Sequence, residues 1–444
     1  MSRAAVLCGL GGALPARAVS NEELAEQLDT SDRWIRTRTG IGRRHVVAPG
    51  EATSDLAVAA GRDALASARR TGGPDAADVD LVVLATSTPD RPCPATAPDV
   101  AHRLGLGTAP AFDVSAVCTG FVYALAAASS MISAGLAERA LVLGADTFST
   151  TLDPADRTTR AIFGDGAGAV VLRAGEADEP GALLGFDLGS DGSGGDLITV
   201  RAGGSRQRST PEPPGAGDHF FTMDGRPVFT QAVLNMSQSS QTLLDRIGWT
   251  PADVDKVVAH QANIRILNAV GDQLGLEEKQ IVANLDRVGN TVAASIPLAL
   301  RDAAADGDLQ PGHRVLLTGF GGGLTWGSAA LVWPALEPTE LTDNRENSEQ
   351  EQREETIMST PVIQTQESLK HRVSALISEK FGLDEAELLS GATFDELEID
   401  SLILVELSLI LRKEMDIVLQ EGELKSAFTL DEAVAVIRAK ADRA

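Results

Sequence analysis

Along residues 1–336, short apolar runs alternate with longer stretches in which apolar residues recur every three or four positions. Val79-Asp-Leu-Val-Val-Leu-Ala85, Arg139-Ala-Leu-Val-Leu-Gly144, Val254-Asp-Lys-Val-Val-Ala259 and Arg314-Val-Leu-Leu-Thr318 have the length and apolar content of buried strands. Between them the helical period predicts helices over Thr53–Arg70, Gly120–Gly135, Pro227–Ile247, Asn263–Leu274 and Val292–Ala305. Strands alternating with helices predict an α/β fold with mostly buried sheets. No simple sequence repeat is visible. The pattern stops at residue 337. Glu337 to Glu355 holds almost no apolar residue and cannot bury enough surface to offset the entropy of ordering, so 337–363 reads as a linker. A flexible chain of that length spans roughly 25–30 Å on average and approaches ~90 Å when extended. Helical periodicity then returns over Leu369–Phe381, Asp400–Met415 and Leu430–Ala441, a small helical domain on a tether.

Charge sharpens this division. The chain carries a net −25, and residues 337–444 contribute 25 acidic against 11 basic residues. A chain this acidic is a poor ligand for nucleic acid or anionic membrane surfaces, so neither is expected as a partner. No run reaches the ~18 apolar residues of a membrane span. Three cysteines, Cys8, Cys93 and Cys118, are too few for a disulfide framework and fit a reducing compartment. A soluble, cytoplasmic protein is the expectation.

One of those cysteines sits where chemistry is plausible. Asp113-Val-Ser-Ala-Val-Cys118-Thr-Gly120 leads into an apolar helix with no charge before Glu138. A thiol at a helix N-terminus feels the positive end of the macrodipole, which favours the thiolate. Taken alone, the segment reads more readily as a small buried cysteine, which is what most free cysteines are. Two other segments add the groups a thiol nucleophile works with. His260 ends a strand in Val258-Ala-His260-Gln-Ala-Asn263, and Asn290 stands in a Gly-containing turn before a helix. Cysteine takes an acyl group as a thioester, while His and Asn donate hydrogen bonds to a second thioester carbonyl as CO2 leaves. Gly319-Phe-Gly-Gly-Gly323 offers backbone N–H groups for an oxyanion hole, or simply a tight loop between strands.

With these segments in place, residues 1–336 resemble a β-ketoacyl-acyl carrier protein synthase III of the thiolase superfamily. The likeness runs through Leu28-Asp-Thr-Ser-Asp-Arg-Trp34-Ile-Arg-Thr-Arg38, Ile162-Phe-Gly-Asp-Gly-Ala-Gly168, His260-Gln-Ala-Asn263, Gly289-Asn290-Thr291 and Gly321-Gly-Gly-Leu-Thr-Trp-Gly327. The spacing of Gly164-Asp-Gly-Ala-Gly168, which precedes a strand, is not that of a dinucleotide motif. The resemblance implies two duplicated α/β halves, 1–172 and 173–336, in a five-layered αβαβα arrangement, and a homodimer. It implies catalytic roles for Cys118, His260 and Asn290 and an oxyanion hole at the Cys118 and Gly322 backbone. Thr30, Trp34, Arg38, Arg157 and Asn263 take coenzyme A positions, where Trp offers a stacking face and Arg pairs with phosphate. Arg265 takes a carrier-docking position, but Asp272 and Gln273 stand where some relatives have lysine, which implies weaker docking. Cys93 replaces a bulky aromatic that limits the acyl pocket from the partner subunit, which implies room for a longer, branched or substituted primer.

Residues 364–444 resemble an acyl carrier protein, most strongly at Asp400-Ser401-Leu402, with Ile403 departing from the usual polar residue. A serine at a helix start reads by itself as an N-cap. The resemblance makes Ser401 the attachment point of 4′-phosphopantetheine, installed by a phosphopantetheinyl transferase. The chain then condenses an acyl-CoA primer with malonyl, or a substituted malonyl, on its own carrier in fatty-acid or polyketide initiation, with no metal. The alternative is acyl transfer from coenzyme A to a thiol, hydroxyl or amine without condensation.

Overall fold

The computed structural model describes residues 3–73, 78–336, 366–381, 383–397, 399–415, 417–420 and 422–441. The predicted linker 337–363 lies outside the described residues. The chain divides into two compact units, 1–340 and 341–444.

Among the described residues the first unit has thirteen strands: β1 (Arg3–Ala13), β2 (Arg17–Ser20), β3 (Arg43–Val46), β4 (Leu81–Ala85), β5 (Ala111–Val114), β6 (Arg139–Asp146), β7 (Gly166–Glu176), β8 (Leu183–Ser190), β9 (Ile198–Val200), β10 (Phe221–Met223), β11 (Lys256–Ala259), β12 (Arg314–Gly321) and β13 (Thr325–Val332). Two mixed sheets form from them, in the orders β1-β7-β6-β4-β5 and β11-β12-β13-β8. Read from the other end, the second sheet repeats the first. β8 and β13 pair antiparallel as β1 and β7 do, β13 and β12 as β7 and β6 do, and β12 and β11 run parallel as β6 and β4 do. Even the position of β5 is answered by a parallel bridge between Val257 and Ile281. The molecule is thus a duplication without a visible sequence repeat. The first repeat runs through β7 to Glu176, and the second opens at β8.

Each repeat sends one helix into the space between the sheets, Gly120–Ser133 from the first and Ser295–Ala305 from the second. Both are buried along most of their length, which is why neither shows a polar face. Their core continues into both sheets through Val83, Val142, Leu317 and Ala329. Helix Thr53–Arg70 covers the outside of the first sheet and Gly225–Ile247 the outside of the second. The result is the expected αβαβα layering. It brings the N-terminal ends of both central helices to one place.

The second unit has helices Gln366–Phe381, Glu385–Leu388, Ser401–Met415 and Leu430–Ala441. Val373, Ile377, Phe394, Leu404, Leu407, Leu411, Val434 and Ile437 form its apolar core. Among the described residues, no helix is long and apolar enough to cross a membrane.

Candidate active site

Cys118 lies in a single 3-10 turn, Val117–Thr119, and the α-helix proper starts only at Gly120. The residue keeps some solvent contact although it is set deep in the protein. Burial first, and the charge of Asp146 second, push its thiol above the ordinary range. This corrects the expectation of a resting thiolate. A helix N-terminus favours an anion by about 0.3–1 kcal/mol, and up to ~2 when partly buried. Burial shifts a group by up to ~3–5 pK units, each worth about 1.4 kcal/mol. Burial prevails, so the resting group is the neutral thiol.

The close approach at Cys118 comes from Gly321. A methyl there would lie 2.8 Å from the Cys118 amide nitrogen and 3.1 Å from that of Thr119, so only glycine fits. Gly322 is the next residue, buried and packed on Ile198. Gly319 sits between Cys118 and His260: a methyl on it would lie 3.6 Å from the His260 Cβ and 3.7 Å from the Cys118 carbonyl oxygen.

His260 follows β11 and is buried, its amide bonded to the Thr318 carbonyl at 2.8 Å. Burial pushes its pKa down to about 3, so the imidazole is neutral at physiological pH. Its Nδ1 lies 2.6 Å from the hydroxyl of Ser295, a fully buried residue. Asn290 is held by two backbone bonds, its N–H donating to Ile162 O and its carbonyl accepting from Gly164 N, both at 2.9 Å. Its Oδ1 accepts from Val292 N at 2.9 Å, which leaves the Nδ2 amide to donate. A neutral imidazole and a carboxamide N–H2 are the donors required for charge that develops on a thioester oxygen. Around Cys118 pack Phe148, Phe163, Phe221 and Val292, the rings 4.7–5.1 Å apart. This apolar wall suits an acyl chain.

Three of these groups escaped the sequence reading. Ser295 lies 35 positions from His260, and its hydroxyl orients a ring whose partner no motif reveals. When Ser295 donates to Nδ1, the imidazole proton sits on Nε2, ready to donate. Ser295→Ala is therefore expected to slow malonyl decarboxylation by about 10-fold, the value of one buried hydrogen bond, while Ser295→Thr recovers most of it. Asp146 and the phenylalanine cluster likewise come together only through tertiary packing.

The coenzyme A candidates gather at helix Asp32–Thr39, whose N-cap Ser31 accepts from Trp34 N. The Arg38 and Arg157 guanidinium carbons lie 4.9 and 5.1 Å from the Trp34 ring centre. Arg157 also donates to the Asp29 carbonyl and carboxylate. Thr30 is nearby in sequence, and its hydroxyl oxygen is buried. Asn263 is occupied within the protein: it caps helix Ile264–Leu274 through Arg265 N and donates to Arg38 O at 2.9 Å. Arg265 is half-buried, which weakens it as a charged docking contact. Cys93 lies on an exposed loop.

In the second unit, Ser401 is the first residue of its helix, yet the cap is Asp400, whose Oδ1 accepts from Leu402 N and Ile403 N. The Ser401 hydroxyl is therefore outside the cap, on a half-buried residue at a helix start. That fits a serine esterified by phosphopantetheine.

A duplicated αβαβα body that carries Cys118 and Asn290 just ahead of its two central helices and His260 at the end of β11 has the architecture of an acyl-transferring enzyme of the thiolase fold. Comparison with known proteins narrows this. The 3-oxoacyl-[acyl-carrier-protein (ACP)] synthase III family matches residues 112–192, its C-terminal counterpart 244–333, and the phosphopantetheine attachment site 371–437. The chain is 62% identical over 336 residues to β-ketoacyl-[acyl-carrier-protein] synthase III 5 of Streptomyces coelicolor, covering 99% of that protein and 76% of this one. To β-ketoacyl-[acyl-carrier-protein] synthase III of Pseudomonas aeruginosa strain PAO1 it is 58% identical over 339 residues, again 99% of the relative and 76% of this chain. The crystal structure of the Pseudomonas aeruginosa PAO1 enzyme matches with a TM-score of 0.70 at 57% identity, covering all of that chain and 76% of this one. The priming β-ketosynthase of the R1128 polyketide pathway gives 0.69 at 34%, covering 98% and 76%. The chain belongs to the β-ketoacyl-acyl carrier protein synthase III family and carries a phosphopantetheine attachment domain behind the synthase.

Proposed function

We propose that this chain condenses an acyl-CoA primer with a malonyl-type extender carried on its own Ser401, initiating a fatty-acid or polyketide chain. The observation that carries the reading is the commitment of Asn290 Oδ1 to Val292 N, which leaves the Nδ2 amide to donate, a second neutral donor in addition to His260. Simple acyl transfer has less use for two such donors.

Cys118 attacks the primer thioester. The Cys118 S–acyl bond forms, the acyl–S bond of coenzyme A breaks, and the thiol proton leaves with coenzyme A. The backbone N–H groups of Cys118 and Gly322 are the proposed oxyanion donors, supported by the tight approach of Gly321. The phosphopantetheine on Ser401 supplies a flexible thiol to which the extender is esterified. His260 Nε2–H and Asn290 Nδ2–H donate to the extender's thioester carbonyl as its C–CO2 bond breaks. The resulting enolate carbon attacks the acyl group on Cys118, forming the new C–C bond and expelling the Cys118 thiolate, which takes up a proton. Phe148, Phe163 and Phe221 keep water from hydrolysing the acyl-enzyme.

Trp34, Arg38 and Arg157 hold coenzyme A, which the two guanidinium groups against one indole support. Thr30 adds a contact there, and Asn263 acts by fixing Arg38. Arg265 is retained as a docking contact of secondary weight. The enzyme acts as a cytoplasmic homodimer. The first sheet ends at β5 with no further strand beyond it among the described residues, a geometry suited to pairing with a second copy. The exposed Cys93 loop would then serve the partner's acyl pocket. A phosphopantetheinyl transferase modifies Ser401.

The test loads malonyl onto the Ser401 arm, adds a panel of acyl-CoAs and reads the Ser401 peptide by mass spectrometry. A β-ketoacyl mass with loss of CO2 is expected, and the acyl-CoA that gives it names the primer. Plain acyl exchange dependent on Cys118 would overturn condensation.

A further inference from the structure

Two non-glycine residues among those described have positive φ, Val117 at 47° and Val292 at 53°. A β-branched residue in that region is an outlier, with strain of about 1–3 kcal/mol. The two occupy equivalent places in the repeats, each in the 3-10 turn ahead of a central helix. Val117 precedes the nucleophile. Val292 is the residue whose N–H fixes Asn290 Oδ1. Strain at these points persists only if neighbouring structure holds it.

The holding group at the second turn is a buried carboxylate. Asp146 ends β6 with no exposed surface. Its Oδ2 accepts from Ala293 N at 3.0 Å. Its Oδ1 accepts from Ser87 N at 2.7 Å, Thr88 N at 3.1 Å, Thr88 Oγ1 at 3.0 Å and Thr86 Oγ1 at 3.3 Å. The carboxylate thus joins the loop after β4, in the first repeat, to the Val292–Ala294 turn of the second. Next to it Gly144 closes the gap, since a methyl there would run into the Ala293 carbonyl. Burial raises the pKa of Asp146 itself to about 6, so at neutral pH and above it is a carboxylate. Beyond burial, its charge also pushes up the Cys118 thiol, which packs against the phenylalanine cluster.

We propose that Asp146 is a positioning residue for the condensation step: it fastens the strained Val292–Ala294 turn to the loop after β4 and so fixes the direction of Asn290 Nδ2. This rests on the condensation reading of Cys118, His260 and Asn290. Three of its five donors are backbone N–H groups, which cannot reverse. Only a group that accepts on both sides satisfies them. In Asp146→Asn the amide N–H2 turns toward Ala293, where one bond is lost rather than several, and the turn is released.

The experiment uses the full-length pantetheinylated chain. Acylation of Cys118 by acyl-CoA and condensation on the Ser401 arm are timed separately, and alkylation of Cys118 by iodoacetamide is followed against pH. Asp146→Asn is expected to slow condensation by roughly 30–100-fold, the scale of misplacing a reacting group by about 1 Å. Acylation should stay within about 3-fold, because the turn that bears Cys118 is not the one released. Alkylation should begin at lower pH, since a negative charge near the thiol is gone. Equal loss in both half-reactions with an unmoved alkylation profile would show a purely structural residue and overturn the proposal, as would no change in either. Thr88→Val, which removes one donor and keeps the charge, covers the case in which Asp146→Asn does not fold. It should slow condensation selectively by roughly 3–10-fold, in line with one lost hydrogen bond, and equal or absent effects again overturn the idea. The alkylation shift tests the carboxylate even if the unmutated chain gives no β-ketoacyl product, an outcome that counts against the condensation reading instead.

Discussion

Cys118→Ala is expected to lose acyl-enzyme formation and β-ketoacyl production together, by on the order of 10⁴-fold or more, as when a nucleophile is removed from a site that works as a unit. The substitution removes one sulfur from a half-buried position, so the fold should lose only about 1 kcal/mol. His260 and Asn290 do not depend on that sulfur for their own hydrogen bonds, which run to Ser295 and Val292. Malonyl on the Ser401 arm should therefore still decarboxylate slowly, giving acetyl on the carrier instead of a β-ketoacyl group. Intact and peptide mass spectrometry after incubation with acyl-CoA and malonyl-loaded carrier separates these outcomes. An acylated active-site peptide in Cys118→Ala would sink the nucleophile assignment, whatever happens to the carrier.

Much of the framework that positions the proposed site is legible in the sequence, because its elements carry strong local signals. The helix Thr53–Arg70 begins and ends where its apolar period does, and the run Val254–Ala259 places His260 at a strand end. What could not be read is what depends on distance in the fold. The antiparallel strands β1, β7, β8 and β13 acquire their meaning from register, and their pairing reveals a duplication that the residues themselves no longer show. Asp146 looks like the polar end of a strand until residues 58–60 positions earlier and 147 later supply its donors. The state of Cys118 was misjudged for the same reason. A helix dipole is visible in sequence, whereas the burial that outweighs it is a property of both repeats packed together.

Burial also explains why the thiol and the imidazole are both neutral. The thiol is pushed up and the imidazole is pushed down to about 3, each chiefly by removal from water. Neutral partners do not attract water into the phenylalanine-lined space, and charge appears only transiently, against donors already in place. On this view the strained turns at Val117 and Val292 and the carboxylate beneath them are the supports of one arrangement: they hold in advance what solvent would otherwise reorganise.

Ser401→Ala should produce the second large effect, and one of a different kind. The variant cannot be pantetheinylated, so condensation on the chain itself falls to background, while Cys118 still takes an acyl group from acyl-CoA at a rate within about 2-fold of the parent, since no residue of that half-reaction is touched. Adding a separate pantetheinylated carrier, residues 364–444, then measures what linkage contributes. Linkage on one chain raises the local carrier concentration to roughly millimolar, which would compensate for weak docking at Arg265, the proposed contact, a half-buried residue. Supplied at ~10 μM, the free carrier should support condensation about 100-fold more slowly than the linked one, the ratio of the two concentrations below saturation. Raising the free carrier toward millimolar should close that gap. Equal rates at ~10 μM would show that docking is tight without the tether, and that the fusion serves something other than local concentration.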